Sequence, residues 1–84
     1  MSRPIRILIV DDSAFTRHLL VKNLNAYSDI EVVGQSPDGA DALKKMVDLR
    51  PDVITLDVEM PRLGGLDTLE RIMDEQPTPV IMFS

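Results

Sequence analysis

Val10-Asp11-Asp12-Ser13 and Leu56-Asp57-Val58-Glu59, the second running on into Met60-Pro61, are the stretches whose residue types can do chemistry. Each follows an apolar run. Arg6-Ile7-Leu8-Ile9-Val10 leads to the Asp pair, and Asp52-Val53-Ile54-Thr55-Leu56 leads to Asp57. Short apolar runs rich in β-branched residues read as strands of a buried parallel sheet. The carboxylates then fall at strand carboxyl ends, the edge where open α/β sheets bind ligands. Three carboxylates gathered there raise one another's pKa, so all three stay ionised only beside a cation. A hard divalent cation with oxygen ligands meets that need, and Mg2+ typically takes a few carboxylates while keeping waters. The pattern points to Mg2+-dependent phosphoryl chemistry on Asp57.

Strand signals alternating with helix signals must position these acids. The first strand spans about Ile5 to Val10 and gives way at Asp11-Asp12-Ser13 to a helix. In that helix Phe15, Leu19, Leu20 and Leu24 recur at helical spacing, with Arg17, His18, Lys22 and Asn23 between them. Asp12 or Ser13 is its expected cap, and Tyr27-Ser28-Asp29 is the turn out of it. Ile30-Glu31-Val32-Val33-Gly34-Gln35 alternates only in part, which suits an edge strand with one wetter face. Pro37-Asp38-Gly39 is turn chemistry leading into a second helix over about Ala40 to Leu49. Its apolar members are Ala42, Leu43, Met46, Val47 and Leu49, and Pro51 stops it. The third strand is Val53 to Leu56. Pro61-Arg62-Leu63-Gly64-Gly65 reads as a loop before a third helix over about Leu66 to Glu75, with Leu66, Leu69, Ile72 and Met73 as its expected core side. Gln76-Pro77-Thr78-Pro79 breaks that helix, and Pro79 to Ser84 reads as the fourth strand. Such alternation implies a parallel sheet with right-handed crossovers and helices on both faces.

Composition narrows the function classes. Eighty-four residues make one small domain with little margin for a self-sufficient core. There is no cysteine, so no disulfide framework or thiolate metal site, and a reducing compartment fits. The run from Ile7 to Val10 is too short for a signal peptide's apolar region or a membrane span, so a cytoplasmic location and no membrane partner are expected. Net charge is −5, and the nine basic residues are scattered, with Lys44-Lys45 the only adjacent pair. Binding to nucleic acid needs a basic stripe, so no nucleic-acid partner is expected.

Taken together, Val10-Asp11-Asp12-Ser13, Leu56-Asp57-Val58-Glu59-Met60-Pro61, Gly65 and Val80-Ile81-Met82-Phe83-Ser84 resemble a response-regulator receiver domain, in order and spacing along the whole chain. Asp-Asp-Ser-Ala-Phe-x-Arg from Asp11, Thr55 to Arg62, and Pro79-Val80-Ile81-Met82 are similar to the receivers of chemotaxis methylesterases of the CheB type. The resemblance implies a flavodoxin-like (CheY-like) doubly wound parallel sheet, here with four strands in the order 2-1-3-4 and three helices. It implies that Asp57 accepts a phosphoryl group from a histidine kinase, chemotaxis CheA-like, and that Asp11, Asp12 and Asp57 hold Mg2+ with the backbone carbonyl of Glu59. Ser84 matches the switch hydroxyl that bonds a phosphoryl oxygen. Two carboxylates and the nucleophile carry about −3, which one Mg2+ reduces to about −1, so further donors are needed for an anionic phosphoryl group. In the family one donor is a lysine ending a fifth strand; this sequence has no fifth strand, and Lys44 and Lys45 precede the third. The loop also departs from the family's Pro-x-x-Asp/Asn-Gly, carrying Gly64 at the acidic or amide position, which loosens it and removes a side-chain cap.

Residues 1–84 are accordingly read as one truncated receiver domain of a longer regulator. A CheB-like parent would use it to control a carboxyl-terminal protein-glutamate methylesterase effector domain. No nucleophile turn of the Gly-x-Ser-x-Gly kind is encoded here. The fourth strand, apolar on both faces, would form an edge open to self-association. Simpler readings exist for single residues: Asp11 and Asp12 as caps, Asp57 as a loop acid, the Glu59 side chain and Arg62 as solvated charges, His18 as an exposed residue. Two other functions compete. One is a non-switching interaction fragment. The other is a haloacid-dehalogenase-like phosphatase using Asp57 and Glu59, a scheme that leaves the early Asp pair unexplained.

Overall fold

The computed structural model describes residues 3–60 and 63–83, the Phe83 side chain apart. Four strands alternate with three helices: β1 (Ile5–Val10), α1 (Ala14–Leu24), β2 (Ile30–Ser36), α2 (Gly39–Leu49), β3 (Val53–Asp57), α3 (Gly65–Glu75) and β4 (Val80–Phe83). The strands pair in parallel in the order β2-β1-β3-β4, the order expected from the sequence. The chain leaves β1 for β2 on one side and returns to β3 on the other. Right-handed crossovers therefore put α1 on one face and α2 and α3 on the opposite one. The reversal between β1 and β3 makes their carboxyl ends the switch point of the sheet.

β2 explains its own imperfect alternation. Ile7 pairs with Val32 but Leu8 with Gly34, so Val33 is the extra residue of a bulge. The other edge is β4, where Ile81 is 60% exposed.

Local chemistry sets the helix ends. Ser13, one of the two expected caps, accepts the Thr16 N–H at 3.2 Å and opens α1. Asp38 accepts the Asp41 N–H at 2.8 Å and opens α2. α2 closes at Arg50, a non-glycine residue in the left-handed region (φ 46°), because Pro51 bars the ordinary helical conformation just before it.

The packed core lies under α2 and α3. Leu8, Val10, Ile54 and Leu56 from the sheet meet Ala42, Met46 and Ile72, with Leu43, Leu49, Met60, Leu69, Val80 and Met82 around them. Two expected core residues of α3 lie outside it: Leu66 is 66% and Met73 42% exposed. The buried stripe is Gly65, Thr68 and Ile72, and at about 100° per residue Leu66 and Met73 stand roughly a quarter-turn from it. Val47 of α2 is 62% exposed for the same reason.

α1 is different. It rests on β1 and β2 yet contains no buried residue. Its half-buried stripe is Thr16, Arg17, Leu20, Val21 and Leu24, and Phe15 and Leu19 lie on the far side, with Phe15 71% exposed. The repeating apolar signal of this segment thus merged two stripes, only one of which faces the sheet. Among the described residues no helix is long and apolar enough to cross a membrane.

Candidate metal and phosphoryl site

Val10 and Leu56 are register partners on β1 and β3, so the residues that follow them come together at the carboxyl edge. Ligand oxygens of Asp11, Asp12 and Asp57 all lie within 4.8 Å of one another. Their environments differ. Asp11 is buried, Asp12 exposed and Asp57 half-buried.

Asp11 is held on every side. Its N–H donates to the Ser36 carbonyl at 3.0 Å. Its Oδ1 accepts the Ser13 N–H at 2.8 Å, and its carbonyl accepts from the Arg17 guanidinium at 2.6 Å. Asp57 accepts one backbone bond, from the Glu59 N–H at 3.1 Å. Its carboxyl pKa is raised above the ordinary aspartate range, first by burial and then by the charges of Asp11 and Asp12, against the opposing Glu59 N–H. Three hard oxygen donors at this spacing, one of them reluctant to ionise, suit a divalent cation of the Mg2+ type.

The backbone behind Asp57 is tightly packed. The Gly65 N–H donates to the Val58 carbonyl at 3.1 Å. A Cβ on Gly65 would stand 2.4 Å from the Asp57 carbonyl oxygen and 2.6 Å from Val58 Cα, so only glycine allows α3 to start here. Gly39 is constrained by a side chain rather than by backbone, since its Cβ would meet Thr68 Oγ1 at 2.0 Å, and Thr68 Oγ1 in turn donates to the Gly64 carbonyl at 2.8 Å. The start of α2 thereby braces the start of α3. Sequence reasoning did not single out Gly39 and Thr68 as site supports; a small residue opening one helix and a hydroxyl in the first turn of another carry no visible pairing signal. Gly64, by contrast, is extended (φ −66°) with open space beside it, so the loop requires no glycine there. As expected, α3 has no side-chain cap.

The remaining candidates fall as follows. The Glu59 side chain is exposed, and its amide rather than its carboxylate approaches Asp57. His18 is exposed on α1. Lys45 is engaged elsewhere: it pairs with Asp41 at 2.8 Å and donates to the Gln35 carbonyl. Lys44 lines a groove between α2 and α3 with Leu43, Val47, Arg71 and Glu75, away from the three acids. Ser84 and Arg62 lie outside the described residues. At the opposite edge of the sheet Arg3 grips Asp52 through two bonds of 2.7 and 2.6 Å.

Residues 7–84 match the family model of the response regulator receiver domain. The chain is 55% identical over its full 84 residues to a protein-glutamate methylesterase/protein-glutamine glutaminase of Symbiobacterium thermophilum, of which it spans 23%. In structure it is similar to the response regulator domain of Thermotoga maritima CheB, with 50% identity and a TM-score of 0.92 over 95% of this chain and 60% of that one. It is also similar to a chain of the CheX–CheY–BeF3–Mg2+ complex of Borrelia burgdorferi (32% identity, TM-score 0.86, 95% and 61% covered). A third similar structure is the complex of the CheA3 P1 domain with CheY6 from R. sphaeroides (30% identity, TM-score 0.83, 96% and 64% covered).

Proposed function

This chain belongs to the response regulator receiver domain family, and on that premise we propose that it is the phosphoacceptor of a CheB-type chemotaxis regulator, with Asp57 as the residue modified. The convergence of the Asp11, Asp12 and Asp57 carboxylates at the β1/β3 switch point carries this reading. Asp11, Asp12 and Asp57, with the Glu59 carbonyl, would hold Mg2+. When bound, the cation supplies charge neutralisation for an anionic phosphoryl group beside anionic ligands.

A carboxylate oxygen of Asp57 attacks phosphorus in line with the bond to the donor's imidazole nitrogen. The P–N bond breaks, imidazole leaves, and an acyl phosphate remains on Asp57. The chain's own contribution is positional. The Glu59 N–H orients the Asp57 carboxylate, and Gly65 lets the α3 amino terminus close in behind the nucleophile. Ser84 would then bond a phosphoryl oxygen.

A histidine kinase of the CheA type is the proposed donor, a reading supported by the CheA3 P1–CheY6 complex. The proposed effector is a methylesterase domain of the parent protein, which acts in the cytoplasm. The function is tested by incubating the chain with a phosphohistidine-loaded P1 domain and Mg2+. Label should pass to the wild type and not to Asp57→Asn. Label retained entirely on the P1 domain would leave the chain as a non-switching interaction fragment.

A further inference from the structure

We propose that Arg17 is a positioning residue for the acidic site, acting through the Asp11 carbonyl to fix the backbone that aims Asp11 and Asp12 at the cation. The inference rests on the metal reading of the same site given above.

Three observations carry it. Arg17 occupies the sheet-facing stripe of α1, in line with Leu20, Val21 and Leu24, where a further apolar residue would ordinarily pack. A half-buried guanidinium in that place is costly unless its donors are satisfied. Its NH1 is satisfied by the Asp11 carbonyl at 2.6 Å, a short charge-assisted bond.

Second, α1 covers Ile7 and Ile9 of β1 with a stripe that is only half-buried, Leu20, Val21 and Leu24, all of it C-terminal to Arg17, so its first turn depends on other contacts. Those contacts are polar: the Arg17 guanidinium on the Asp11 carbonyl and the Ser13 N–H on Asp11 Oδ1 join the start of α1 to the residue that follows β1. The Arg17 backbone N–H also donates to the Ser13 carbonyl at 3.0 Å, so this side chain starts from the same turn it closes.

Third, the choice of acceptor matters chemically. A guanidinium paired with a carboxylate would compete with a metal for its oxygens. Arg17 takes a peptide oxygen instead, and no ion pair joins it to Asp11, Asp12 or Asp57 among the described residues. The turn is braced while the ligand oxygens stay available.

The test is an Mg2+ titration of the full chain, followed by the backbone amide NMR shifts of Asp11, Asp12, Ser13 and Asp57, alongside urea unfolding of each variant. Removal of a group that orients metal ligands typically weakens binding by about tenfold or more. Arg17→Gln should therefore raise the Mg2+ dissociation constant roughly tenfold, and Arg17→Lys, which keeps the charge and one donor reach, should fall between it and wild type. Arg3→Met, which breaks the ion pair at the opposite edge, is the control: its urea midpoint drops while its Mg2+ constant stays at the wild-type value. Wild-type Mg2+ affinity in Arg17→Gln, with only its urea midpoint lowered, would overturn the proposal. If Arg17→Gln does not fold, Arg17→Lys decides, and an unchanged Mg2+ constant with an unmoved Asp11 carbonyl-carbon shift overturns it. A wild-type chain whose amides ignore Mg2+ would instead overturn the metal reading, and this inference with it.

Discussion

Under α2 and α3 the sheet presents Leu8, Val10, Ile54 and Leu56, all fully buried, to Ala42, Met46 and Ile72. On the opposite face Ile7, Ile9 and Thr55 are buried too, but α1, which rests there on β1 and β2, has no buried residue, and Ile81 in the same row as Thr55 stands exposed. One face is closed by residues buried in both layers, the other by a helix whose apolar stripe stays half-buried and whose first turn is fixed by hydrogen bonds to Asp11. The acids of the candidate site belong to the second arrangement, at the turn between β1 and α1 and at the end of β3. Core stability and site geometry thus rest on largely separate sets of residues, and substitutions should separate them.

The largest expected loss is on the packed face. Met46→Ala should cost about 2–5 kcal/mol by opening a cavity between α2 and the sheet, a large part of the stability of a small domain; urea denaturation measures it. On the α1 face the sign reverses. Thr55 Oγ1 is buried and has no hydrogen-bond partner among the described residues, so Thr55→Val should stabilise by about 1 kcal/mol, since an unsatisfied buried hydroxyl is removed. A loss of that size instead would mean the hydroxyl is satisfied.

The two ends of the strands should respond oppositely to pH. Asp52 is held at about 2 by the Arg3 guanidinium and then the Arg6 N–H. Its folded value lies below its unfolded one, so its contribution is present above the ordinary aspartate range and lost as pH falls towards about 2. Asp57 is shifted upward by burial and by its acidic neighbours, so its contribution is present at low pH and lost as pH rises through its folded value. Asp52→Asn should therefore flatten the acid limb of the stability profile. Asp57→Asn should stabilise the metal-free chain at neutral pH. Thermal melts between pH 2 and pH 7 separate the two, and a destabilised Asp57→Asn would deny the electrostatic strain at the site. The smallest effect belongs to the far side of α1, where Phe15→Ala should change stability by no more than about 0.5 kcal/mol.

Strand order and the three acids were legible because apolar runs that stop at aspartates mark both a buried strand and its end. The helices were legible as helices but not as faces. Phe15 and Leu19 match the helical spacing as well as Leu20 and Leu24 do, and only the packing decides which pair meets the sheet. Leu66 and Met73 were misplaced for a similar reason: the stripe that docks α3 is set by a close backbone approach at Gly65 and by Thr68, and neither residue registers as apolar. The brace between Gly39 and Thr68 joins residues far apart in sequence, so no local pattern could announce it. Arg17 looked like one of several charges interleaved on α1 until its stripe was known.

The most direct measurement is the intact mass of the chain after incubation with Mg2+ and acetyl phosphate, repeated with the cation chelated and with Asp57→Asn. One added phosphoryl group should appear only in the wild type with Mg2+ present. An unmodified wild type, or a phosphoryl group that persists in Asp57→Asn, would mean that the three converging carboxylates are not a phosphoacceptor site.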